Sequence, residues 1–187
     1  MQNTYDLALD LKNRDASRLF RHLEDAEKLL RLHPHWHVET VNKGDERGGV
    51  QARVKDHATG EHLDIHFLLI FDQAGGMILD FKDGPLKQIQ FCVKNDRLTA
   101  VISADIPEAE YDKRYHLGLW LRSIREYLRL FLTRTPYTFF FRFIMDHAIL
   151  KMNPSQRKIS MMILRYTFLE ILLILVIVIG YVLFMKP

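Results

Sequence analysis

Residues 98–133 read LTAVISADIPEAEYDKRYHLGLWLRSIREYLRLFLT, and the spacing of apolar residues changes within them. Leu98, Ala100, Ile102, Ala104 and Ile106 alternate, which is the period of a strand with one buried face. From residue 108 onward the step becomes three or four: Leu117, Trp120, Leu121, Ile124, Leu128 and Phe131 fall on one side, with Arg122, Arg125 and Arg129 on the other. That spacing predicts an amphipathic helix of about seven turns over 108–133, with an apolar stripe wide enough to cover a sheet.

Upstream, turn signals at 43–49, 58–60, 73–76, 83–85 and 95–97 cut the chain after Trp36 into six strand-like runs. Their alternation is consistent with an antiparallel meander, as in Leu63, Ile65, Phe67, Leu69 and Phe71. Before the meander, Tyr5, Leu7, Leu9 and Leu11 alternate as a first strand. Asp15 then offers an N-cap to a helix holding Leu19, Phe20, Leu23 and Ala26, and a second short helix ends at the run HPHWH, residues 33–37. The predicted order is strand, two short helices, six strands and a long helix, an α+β plan with a seven-stranded antiparallel sheet.

This order resembles the START-like, or SRPBCC, superfamily, whose helix-grip fold is shared by polyketide cyclases, plant pollen allergens and lipid-transfer domains. The local echo is LFRHLEDAEKLLRLHPHW, where a helix follows the first strand and a turn with His33, Pro34 and Trp36 precedes the second. The resemblance covers roughly residues 3–133 and implies a curved sheet and long helix enclosing an apolar cavity. Phe67, Leu69, Phe71, Phe81, Phe91, Leu117, Trp120, Leu121 and Ile124 are the lining residues it suggests, although aromatic side chains at such positions also serve simply to fill a core. It carries over no catalytic residue, because the superfamily has no universal catalytic set.

Nothing else in the chain builds a reaction centre. Nucleophile elbows, phosphate-binding glycine loops and dinucleotide fingerprints do not occur. His33, His35 and His37 would share one face if extended, and neutral imidazole ligates zinc, copper and nickel, so they are the candidate metal ligands. No acidic partner is fixed by spacing, and the resemblance explains His33 and Pro34 as fold punctuation, so neither metal nor cofactor is expected. The single cysteine, Cys92, excludes an internal disulfide. The formal charge of +3 is spread over bases mostly interspersed with acids, so nucleic-acid binding is not expected.

The C-terminal part has a different composition. From residue 171 to 185 the chain reads ILLILVIVIGYVLFM without a charge, and apolar character extends back to Ile159 past Arg165 and Glu170. A helix here would run about 40 Å, enough to cross a hydrocarbon core of about 30 Å. Lys151, Arg157, Lys158 and Arg165 precede it and only Lys186 follows, which predicts a single pass with the N-terminal body in the cytoplasm. Pro154 is placed to start the helix. Glu170 and Tyr181 lie on it as candidate contacts to lipid or a neighbouring subunit. Just upstream, TPYTFFFRFIMDHAILKMNP carries Phe139, Phe140, Phe141 and Phe143, yet Arg142 and Asp146 make it a poor span. It reads as a helix in the headgroup layer, as a docking surface for another membrane protein, or as packing against its own domain.

The predicted organisation is a soluble START-like domain over 1–134, an interfacial or docking segment over 135–156 and an anchor over 157–187. Two functions fit it. One is a noncatalytic membrane-anchored module binding a lipid or isoprenoid-like molecule, and the other is an accessory subunit of a larger membrane complex, with membrane lipid and other integral subunits as partners.

Overall fold

The computed structural model describes residues 2–11, 16–44, 49–72, 75–133 and 135–184, with side chains to Tyr181. They fall into two compact units, Met1–Lys151 and Met152–Pro187. The predicted cap at Asp15, Gly48 and parts of the turns at 43–49 and 73–76 lie outside the described residues, as does Lys186.

In the first unit, β1 (Gln2–Asp10), β2 (Trp36–Lys43), β3 (Gly49–Asp56), β4 (His62–Phe71), β5 (Met77–Phe81), β6 (Leu86–Lys94) and β7 (Arg97–Ala104) form one sheet. Its order is β1-β7-β6-β5-β4-β3-β2, antiparallel throughout, so the first two strands take opposite edges. The chain crosses between those edges through α1 (Ala16–Phe20), a 3-10 turn (Arg21–Leu23) and α2 (Ala26–Arg31). Asp25 caps α2 by accepting the Glu27 amide, and Ala26, Leu29 and Leu30 turn inward at helical spacing. After β7 come α3 (Glu108–Tyr115), α4 (Leu117–Leu132), α5 (Pro136–His147) and a 3-10 turn (Ile149–Lys151). This is the helix-grip plan, and the six strands expected after Trp36 are all present.

Alternation sets the core. Phe71, Met77, Phe91, Ala100 and Tyr5 are paired in succession across five strands, forming one row on the apolar face. Leu117, Trp120, Leu121, Ile124, Tyr127 and Leu128 of α4 are buried in the same cluster as that face. In β1 the simple alternation is interrupted, because pairing with β7 slips between Asp6 and Leu9. Ala8 there has φ 48°, and its amide donates to the Asp6 carboxylate at 2.7 Å, closing the bulge.

The single helix predicted over 108–133 is corrected by the structure to two. His116 adopts a left-handed conformation (φ 47°, ψ 42°) that ends α3, and the Asp112 carboxylate accepts the Gly118 amide at 2.8 Å as α4 begins. The freed end of α3 is satisfied from a distance: buried His33 donates from Nε2 to the Tyr115 carbonyl at 2.9 Å. In return, Trp120 Nε1 donates at 3.0 Å to the carbonyl of Leu29 in the last turn of α2. The ends of α3 and α2 are thus each capped by a side chain from outside the helix, His33 of the turn after α2 and Trp120 of α4.

The second unit is α6 (Pro154–Phe184), 31 residues, which is about 46 Å at the helical rise. Proline takes its first position, as expected. Asn153 accepts the Gln156 amide at 2.8 Å while Gln156 accepts the Asn153 amide at 3.0 Å, a reciprocal capping box. The most apolar window of this helix has no buried share.

Candidate functional site

The nine residues suggested as a pocket lining come together on the inner face, with different degrees of cover. Phe67, Phe81, Phe91, Leu117, Trp120, Leu121 and Ile124 are buried, Leu69 is half-buried, and Phe71 at the end of β4 is 41% exposed. Phe67 and Phe81 pack tilted with ring centroids 5.7 Å apart, and Phe91 meets Phe20 of α1 at 6.2 Å. Trp120 lies 5.4 Å from Trp36, which stacks on His33 at 4.0 Å. These spacings are those of aromatic side chains in contact. An open depression of about 420 Å³ is found elsewhere, between Tyr5, Asp6 and Leu7 of β1 and Gly118, Leu121, Arg122 and Arg125 of α4. Of the nine residues only Leu121 borders it.

The histidine run divides. His33 is sealed inside, where Nδ1 accepts the His35 amide at 3.2 Å and Nε2 donates to Tyr115, so both ring nitrogens are engaged and the ring is neutral. His35 meets His116 edge-on at 5.2 Å, while His37 lies beside His57 at 6.1 Å. His37 occupies the side of β2 opposite buried Trp36, because adjacent strand residues alternate. The three imidazoles therefore do not share one face, and among the described residues no three His, Cys, Asp or Glu side chains gather as a metal-holding group.

Two tyrosines are tuned by their surroundings. Burial, followed by hydrogen bonding to Glu108, pushes the Tyr5 hydroxyl above its usual range. It donates to Glu108, while Asn3 donates at 2.9 Å to Tyr111 beside it, tying β1 to α3. Burial and the Asp146 carboxylate likewise raise Tyr127, whose hydroxyl donates to Asp146 at 3.0 Å. Both remain protonated donors at neutral pH, and their partners are structural.

The α5 segment is arranged opposite to an ordinary surface helix. Its charged residues face the body: Arg142 donates to the Leu130 carbonyl at 2.8 and 2.5 Å and to the Thr133 carbonyl at 2.7 Å, and stands over the Phe131 ring at 4.8 Å. Asp146 receives Tyr127 and pairs with Lys28 of α2 at 3.3 Å. A capping box between Thr135 and Thr138 starts the helix. Tyr137, Phe139, Phe140, Phe141 and Phe143 point outward, 50% to 77% exposed. Sequence reading sets this segment apart, whereas the first compact unit includes it. On α6, Glu170 and Tyr181 are exposed among the apolar side chains, and Glu170 has no ion-pair partner among the described residues.

No protein-family model matches this chain, and no curated protein does. Solved structures similar to it include the following two. The solution structure of Chr148 from Cytophaga hutchinsonii is 16% identical, with 73% of this chain and 96% of that one covered, at a TM-score of 0.42. The crystal structure of Ara h 8.0201 is 11% identical, with 68% and 95% covered, at a TM-score of 0.41.

Proposed function

We propose that the chain is a noncatalytic helix-grip module anchored by a single transmembrane pass, with its body on the cytoplasmic side. The observation that carries this reading is α6: one helix has the length and composition to cross a bilayer, and none of its apolar window is buried. In water an uncovered helix of that kind would be strongly disfavoured, at about 25 cal/mol for each Å² of apolar surface. The basic residues before it and the sparse charge after it support the cytoplasmic orientation. Alkaline carbonate extraction of cell membranes tests the first point, and protease protection on untreated sealed vesicles tests the second. Release into the supernatant overturns the anchor, and protection of the body in intact cytoplasm-facing vesicles reverses its side.

Within this reading the body binds an apolar molecule, lipid or isoprenoid-like, between the sheet and α4. Support comes from the apolar inner face and the partial exposure of Leu69 and Phe71 at one end of β4. Mass spectrometry of the detergent-purified chain should then detect a stoichiometric apolar ligand. A second reading, an accessory subunit of a membrane complex, is favoured by the close aromatic packing where that ligand would sit. Native purification separates the two, since a ligand-free chain that comigrates with integral partners supports the second.

A further inference from the structure

A helix at a water-facing surface places its charges outward, and α5 does the reverse. Arg142 and Asp146 are spent on the ends and sides of α4 and α2, so the polar side of the helix is already occupied. The aromatic side that remains is the one left for a partner.

Charge decides which partner fits. Between residues 129 and 165 there are seven Lys and Arg and one acid, Asp146, a net of +6 in a chain whose total is +3. The remainder of the chain therefore carries −3, so the positive charge is concentrated around the aromatic helix and the approach to α6. A second copy of the same face would meet like charge, which disfavours self-association. An anionic leaflet offers both complements, negative headgroups for the basic residues and an acyl boundary for the rings. Six residues, 148–153, connect α5 to α6, a tether of about 20 Å at full extension, so an anchored chain holds α5 within reach of the bilayer.

We infer that α5 is a membrane-interface helix that lies on an anionic leaflet with its aromatic face in the lipid and its charged face bonded to the body. This rests on the anchored reading above and adds to it a second, peripheral contact with lipid.

The test uses the full chain reconstituted in vesicles of brominated phosphatidylcholine, with and without about 30 mol% phosphatidylglycerol. Phe140→Trp replaces an exposed ring by a fluorescent one without disturbing the core, and native Trp36 and Trp120 are 2% and 1% exposed and out of the quencher's reach. The expected result is about two-fold bromine quenching of the added indole, greater in the anionic vesicles and absent in wild type. If F140W is quenched no more than wild type while the chain still resists carbonate, the inference fails and the anchor stands. Equal quenching in the two vesicle types overturns the anionic preference. A chain released by carbonate loses the anchor as well as this inference. In native membranes, a photoreactive group at position 140 that crosslinks to protein instead of lipid also overturns it.

Discussion

The Tyr127 hydroxyl donates to the Asp146 carboxylate at 3.0 Å, joining the buried side of α4 to the inward side of α5. Lys28 of α2 reaches the same carboxylate oxygen at 3.3 Å, so one acid holds two helices. Tyr127→Phe should cost about 1–2 kcal/mol, and Asp146→Ala more, since it also strands Lys28. The double variant should lose less than the sum, because the two residues share one bond. Hydrogen exchange should rise first over 136–147 while the sheet amides stay protected.

The side-chain caps on the ends of α2 and α3 give a second expectation. Trp120→Phe keeps most of the ring but leaves the Leu29 carbonyl without its indole donor. His33→Phe preserves a flat ring against Trp36 and removes bonds to both Tyr115 and His35. Each should lower stability by about 1–3 kcal/mol in denaturant unfolding of the detergent-purified chain, His33→Phe by the larger amount. If His33→Phe leaves the midpoint where it was, the cap is not a stabilising feature.

These caps also mark what sequence could and could not reveal. The alternation at 63–71 exposed its strand because period two survives where one face is buried, and at 98–104 it is still visible in the sequence although Thr99 and Val101 of the other face are buried too. The break at His116 was hidden, since neither glycine nor proline stands there and the apolar step resumes at Leu117 without a gap. The bond that satisfies the freed end of α3 comes from His33 to Tyr115, 82 residues apart, and no local pattern encodes such a contact. The same distance effect explains the histidine run, where spacing suggested a shared face and the fold assigned one ring to the core and another to the outer side of β2. In α5 the apolar content was legible, but its outward direction depends on Arg142 meeting carbonyls at the end of α4.

His22 supplies a pH dependence. It stacks on Phe131 at 3.8 Å, on a ring that Arg142 also covers, and its pKa is lowered by burial and by the charges of Arg142 and Lys28 against the smaller opposing effect of Asp146 and Glu24. A folded-state pKa below the unfolded value near 6.5 means that the unfolded chain takes up the proton first as pH falls. The contribution is therefore intact above about pH 6.5 and declines as acid carries the solution down toward the folded-state value. Thermal unfolding of wild type and His22→Gln at pH 7.5 and 5.5 checks the sign, with the variant expected to lose less on acidification. A variant that loses as much as wild type would remove His22 from the account.

The anchor should respond to charge according to depth. Leu175 lies in the uncharged stretch of α6, whereas Ile163 stands near its start, two residues before Arg165. An arginine at mid-span raises the insertion free energy by about 3 kcal/mol, while one near the end can extend its guanidinium to the headgroups. Leu175→Arg should accordingly shift a large fraction of the chain into the carbonate-soluble pool, and Ile163→Arg only a small fraction. If α6 were instead a soluble helix with an apolar partner, the relevant variable would be position on the helix circumference. Leu175 and Ile163 are twelve residues apart, about 120° around the axis, and Val178 is only about 60° from Leu175. Val178→Arg and Leu172→Arg do not separate the cases, because both are deep and both lie within about 60° of Leu175, whereas Leu173→Arg does, being equally deep and about 160° around the axis. Release of Leu173→Arg equal to that of Leu175→Arg, with Ile163→Arg retained, is the pattern expected of lipid on every side, and retention of Leu173→Arg is the pattern of a one-sided protein contact.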